Sequence, residues 1–202
     1  MDGNGRIMNA SLKETCESWV TSSSLEIVLS EASYLLESGS SEVICFIIES
    51  LLSALSVHSD AEESDLIVAA NLIRKVARYA SSIGPILLAH LYVLPDATPF
   101  LDVIPHLFGV ASAKSLEHVY EQLEALALAE NRYLLPVVST LIDLPLPSSI
   151  KPALARLADE AIGVVDETDF PFLFRTILRN LSDIDAYNIT FRLRKEVCIF
   201  LC

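Results

Sequence analysis

Apolar residues along this chain recur at three- and four-residue steps with charged and hydroxyl residues between them, a rhythm that predicts helices almost throughout. The first is expected to begin near Leu25, where Ser23-x-x-Glu26 makes a capping-box pattern. It should stop at SGSS, residues 38–41, where Gly39 can take the left-handed conformation that closes a helix. A second helix is expected over about 42–57. HSDAEESD, residues 58–65, then offers a cap with acids for the positive end of a third, over about 62–80, with Arg74, Lys75 and Arg78 in its last turns. Pro85, and then Pro95 and Pro99, should break the next region into a short helix, a loop and another short helix at about 98–108. Leu116, Val119, Tyr120, Leu123 and Leu126 form one apolar stripe, with Glu117, Glu121 and Glu124 on the wet side. Further helices are expected at about 133–142, 149–163, 169–181 and 184–200.

TDFPFLFRTILRN, residues 168–180, shows the design of these elements. Thr168 or Asp169 can cap, and Pro171 falls in the first turn, where its missing N–H costs nothing. Phe170, Leu173, Phe174, Ile177, Leu178 and Leu181 then share one face, so the segment is a packing element first. A proline followed by an apolar helical segment also starts at Pro99 and Pro136, which spaces the three starts 37 and 35 residues apart. A period of about 36 residues filled by two helices is that of helical-hairpin repeats. The expected fold is all-α, a right-handed α-solenoid of HEAT-like antiparallel helical hairpins.

Composition agrees with this expectation. At 52% hydrophobic residues and six glycines in 202 positions, the chain has ample core material and little for tight β-turns or phosphate-cradling loops. No run reaches the roughly 20 apolar residues of a membrane span, and MDGNG reads as a frayed start without a secretory signal, so a soluble protein is expected. Cys16, Cys45, Cys198 and Cys202 are scattered, which fits a reducing compartment. Residues 199–202 would end a helix on apolar side chains with nothing to pack on, so a fragment or truncated product is expected.

The net charge of −13 is uneven: residues 1–170 carry −15 and residues 171–202 carry +2. Any nucleic-acid contact would therefore come from missing sequence or from the C-terminal end, where Arg175 and Arg179 are one turn apart and Arg192, Arg194 and Lys195 follow on the next helix. These five are the candidate contact residues, with a solvated face balanced by Asp183, Asp185 and Glu196 as the plainer reading. Catalytic chemistry finds no footing. His58, His90, His106 and His118 lack metal-ligand spacing, and neither a nucleophile elbow nor a phosphate-binding glycine motif occurs. No catalytic, cofactor or metal residue is nominated.

LLPVVSTLIDLPLPSSIKPALARLADEAI, residues 134–162, followed by DETDFPFLFRTILRNLSDIDAYNITFRLRKEV, residues 166–197, resembles part of the amino-terminal half of the Fanconi anaemia group D-two protein family. The likeness runs from about residue 94 to residue 197 and rests on a packing order: proline-started helix, DLPL break, long helix, acidic D-x-P start, Ser-Asp break, LRKEV finish. It implies a division into an N-terminal helical segment over 1–93 and a repeat segment over 94–202, and a long, non-enzymatic α-solenoid in the nucleus. Such a protein pairs with the Fanconi anaemia group I protein, closes around DNA in interstrand crosslink repair, needs no cofactor, and is switched by ubiquitin on a lysine beyond the matched region. An unrelated helical-repeat adaptor for a protein or peptide is the alternative expectation.

Overall fold

Stripes of apolar residues become helices that bury them. In a computed structural model of the protein, which describes residues 3–37 and 40–164, the regular elements are α-helices and two single 3-10 turns, with no strand among those residues. The fold is all-α. The chain divides into two compact units, Met1–Leu107 and Phe108–Cys202.

The first unit contains α1 (Gly3–Trp19), α2 (Leu25–Leu36), α3 (Ser41–Val57), α4 (Glu63–Lys75), a 3-10 turn (Ala77–Tyr79), α5 (Ala80–His90) and α6 (Thr98–Leu101), and α7 (Ile104–Phe108) runs into the division. Helix α3 is its centre. Ile44, Ile47, Ile48, Leu51, Leu52 and Leu55 are all fully buried, and α3 lies against α1, α2, α4 and α5. Six side chains at about 1.5–3 kcal/mol each make this helix the main source of hydrophobic stabilisation in the unit. Around it, α2 also packs on α4, and α4 on α6.

Helix α1 was not expected from the pattern, and the frayed start expected at MDGNG gives way to a helix from Gly3. Among residues 10–19 only Cys16 and Trp19 are buried, so α1 carries too narrow an apolar stripe to announce itself. It is held by packing on α3 through the buried Cys16 and by one large side chain. The Trp19 ring is buried and its indole N–H donates to Glu31 Oε2 on α2 at 2.7 Å.

Three further departures have local causes. The capping box at Ser23 does not form: Ser24, in extended conformation, takes the N-cap position of α2 without a side-chain bond to the helix. The Ser24 amide instead donates to Ser22 Oγ. The helix expected over 62–80 ends at Lys75, because Val76 leaves the helical region and a 3-10 turn intervenes. Arg74 and Lys75 keep their place in its last turn, and Arg78 moves onto the turn, stacked 5.0 Å over the Tyr79 ring. Pro85 is absorbed inside α5. The carbonyl that loses its donor there belongs to Ser81, an exposed residue that water can satisfy. Pro105 does break its helix: it removes the donor that would continue past Leu101, and the expected 98–108 helix splits into α6 and α7.

The second unit is described over residues 108–164 and holds α8 (Ala113–Ala129), a 3-10 turn (Asn131–Tyr133), α9 (Leu134–Ile142) and α10 (Lys151–Ile162). The α8 stripe is buried as expected, with Leu116, Val119, Tyr120, Leu123 and Leu126 inside. Ser112 caps it by accepting from the Ser115 amide at 3.2 Å. Helix α9 packs on both α8 and α10. Thr140, the buried polar residue among those described, donates its hydroxyl to the Pro136 carbonyl at 2.9 Å. The helices expected at 169–181 and 184–200 lie outside the described residues.

Candidate functional site

A hollow in the described structure follows from how α2 and α4 divide their faces. On α2, Leu25, Val28, Leu29, Ala32 and Leu36 point inward, and on α4, Leu66, Ala69, Ala70, Leu72 and Ile73 do so. Between the two helices runs a groove of about 910 Å³ with Leu29 and Leu72 at its floor. Ser30 and Ser33 from α2 and Asn71 from α4 line it, and Val68 and Tyr34 flank it at 45% and 74% exposure. A second hollow of about 190 Å³ shares Ser33, Glu37, Leu72 and Lys75, and adds Leu36, Val76 and Arg78. The C-terminal ends of α2 and α4 therefore meet, and the two helices run in the same direction.

Charge along the groove is polarised. Glu26 and Asp65, from the first turns of the two helices, line one end. At the other end stand Arg74, Lys75 and Arg78, with Glu37 the carboxylate among them. Acids at both helix starts, and bases at the end of α4, complement the helix macrodipoles, whereas α2 has no base in its last turn and Glu37 at its C-cap. Arg74 and Lys75 form no ion pair with a described residue.

No comparable chemistry is assembled elsewhere among the described residues. No group of three or more of their His, Cys, Asp or Glu side chains is placed to hold a metal ion, and none of their helices is long and apolar enough to cross a membrane. His90 lies 2.9 Å from the Ile86 carbonyl through Nδ1 and 3.4 Å from Ser53 Oγ through Nε2. With Nδ1–H donating to Ile86, Nε2 is left as the acceptor of the Ser53 hydroxyl, an orientation set by the helix rather than by a third catalytic group. His58 presents Nδ1 to Asp60 at 3.9 Å and has its buried Nε2 without a hydrogen-bond partner. His118 faces Glu121 on its own helix, and His106 is exposed.

Cys16 is the buried thiol of the first unit. Burial pushes it up to about 11 from its ordinary 9.0, a hydrogen bond with Ser50 partly opposes the rise, and the Glu31 carboxylate adds to it. A thiol held neutral is a packing group rather than a nucleophile. Tyr120 on α8 is raised by burial first, then by donating to Glu124 Oε1 at 2.7 Å and by that carboxylate's charge. Arg156 on α10 opposes the shift and Glu160 adds to it.

Arg175, Arg179, Arg192, Arg194 and Lys195, the basic cluster expected from the sequence, lie outside the described residues. The groove was missed by the sequence reading, although a signal was present. Ile27 and Tyr34 on α2, and Ile67 and Val68 on α4, are large apolar residues off the buried stripes, at 44–74% exposure. Apolar residues on the wet face of an amphipathic helix are what mark a surface that is used. No protein-family model, curated protein or solved structure gives a significant match to this chain.

Proposed function

We propose that this chain is a non-enzymatic α-helical scaffold of the Fanconi anaemia pathway, working in the nucleus in DNA interstrand crosslink repair beside the group I partner and DNA. The observation that carries this reading is the resemblance over residues 134–162 and 166–197. Within it, α9 and α10 flank the DLPL break. A right-handed α-solenoid of HEAT-like hairpins is the architecture that goes with it. In support, α1 packs on α3, α2 on α4, α3 on α5 and α4 on α6, the next-but-one packing that stacked antiparallel hairpins produce.

The test is to replace Arg175, Arg179, Arg192 and Lys195 together and measure duplex-DNA binding across a salt series. Each phosphate that the variant no longer neutralises should flatten the log–log salt slope by about 0.9. Unchanged affinity and slope would remove the nucleic-acid role from this segment.

A second reading is a helical-repeat adaptor for a protein or peptide. What favours it is the groove between α2 and α4, with exposed apolar residues lining it.

A further inference from the structure

We infer that the α2–α4 groove docks a short amphipathic helix of a protein partner, running antiparallel to α2 and α4, with an acidic first turn and a basic last turn. The inference deepens the adaptor reading and rests on it. Three observations commit it to this occupant.

The first is polarity. Glu26 and Asp65 line one end of the groove, and Arg74 and Lys75 line the other with Glu37 as the carboxylate among them, while Arg78 lines the adjoining hollow. A bound helix with its acids beside the basic end has its N-terminus there and its bases beside Glu26 and Asp65. That charge order is also the one that stabilises the bound helix against its own dipole, so binding and helix formation favour the same orientation. The reverse orientation would place like charges together at both ends.

The second is the apolar content. Leu29 and Leu72 form a floor, Val68 and Tyr34 stand beside it exposed, and Ile27 and Ile67 are exposed elsewhere on the same two helices. Helices α3 and α5 of this unit show no exposed large hydrophobic residue among those described, apart from Val57 at the end of α3. Apolar exposure in the described helices of this unit is thus concentrated on the two helices that form the groove, with Tyr34 and Val68 lining it, which suits helix-in-groove recognition with anchors at i, i+3 or i+4, and i+7.

The third is length. The 12 residues of α2 give the groove a span of about 18 Å, which three turns of a partner helix fill.

The experiment is a selection of 12-residue peptides from a randomised display library on the 202-residue chain, followed by fluorescence anisotropy with the leading peptide and a charge-reversed peptide of the same apolar pattern. The enriched sequences should carry apolar anchors at helical spacing, acids first and bases last, and the charge-reversed peptide should bind about tenfold or more weakly. Arg74→Glu with Lys75→Glu should invert that preference, and Val68→Lys or Tyr34→Lys should abolish binding of both. All four positions are exposed, so circular dichroism should be unchanged in every variant. Peptides that bind with no polarity, or that still bind the groove variants, overturn the groove while leaving the adaptor reading in place. A library that yields no binder overturns both. Sedimentation showing a dimer that Tyr34→Lys dissolves would assign the groove to a second copy of the chain and overturn the peptide partner.

Discussion

Replacing Cys16 by Ala should cost stability near neutral pH and lose that cost in alkali. Cys16 sits where α1 meets Ser50 of α3 and Glu31 of α2, and its thiol is pushed up to about 11 from 9.0, by burial before anything else. Below pH 9.0 the thiol is protonated whether the chain is folded or unfolded, and its full contribution is present. Between 9.0 and about 11 the unfolded chain gives up the proton first, so each rise in pH favours unfolding. At pH ~10 the wild-type chain has lost about 1.4 kcal/mol through this one group, and above both values the loss approaches about 2.7 kcal/mol. Cys16→Ala removes the sulfur and its packing, at about 1 kcal/mol near pH ~7, and also removes the titration. Its deficit should therefore shrink by about 1.4 kcal/mol and close by pH ~10. Urea unfolding read by the fluorescence of Trp19, the single tryptophan, measures both chains in the unit where the thiol lies. Taking the difference at each pH cancels the other groups that ionise in alkali. A deficit that stays constant within about 0.5 kcal/mol from pH ~7 to ~10 would refute the claim that burial holds this thiol neutral.

Other outcomes follow from the packing. Leu51→Ala on α3, a fully buried position, should cost about 2–5 kcal/mol in the same urea experiment, and a loss under about 1 kcal/mol would mean that α3 is not the centre of its unit. Ser112→Ala removes the hydroxyl that accepts from the Ser115 amide and should lower the stability of the second unit by about 0.5–2 kcal/mol, read by thermal circular dichroism.

The fold class was legible because helix period is a local property. Leu116, Val119, Tyr120, Leu123 and Leu126 fall on one face at any α-helical geometry, and α8 buries all five; α3, α9 and α10 lie within two residues of their expected bounds for the same reason. Where several local signals competed, only the folded chain decided. Ser23 and Ser24 both could cap α2, and the extended backbone at Ser24 selected the second. Pro85 and Pro105 carry the same ring, yet one lies inside α5 and the other separates α6 from α7. Helix α1 escaped notice because its hold on the unit comes from Trp19 and a carboxylate on another helix, a pairing that no single-helix pattern contains.

The groove divides along the same line. Its charges were each readable alone, as acids at helix starts and bases at a helix end, since they answer to the dipole of their own helix. That α2 and α4 lie side by side and point the same way is a matter of tertiary packing around α3. This arrangement sets the acid at the start of α2 beside the charge gradient of α4 and gathers Tyr34 and Val68, 34 residues apart in the chain, beside a common floor. Sequence by itself determined that this protein is a set of amphipathic helices, because periodicity alone dictates which side of each must be buried. Which wet faces become neighbours depends on packing between residues far apart in the chain, and that only the tertiary structure decided.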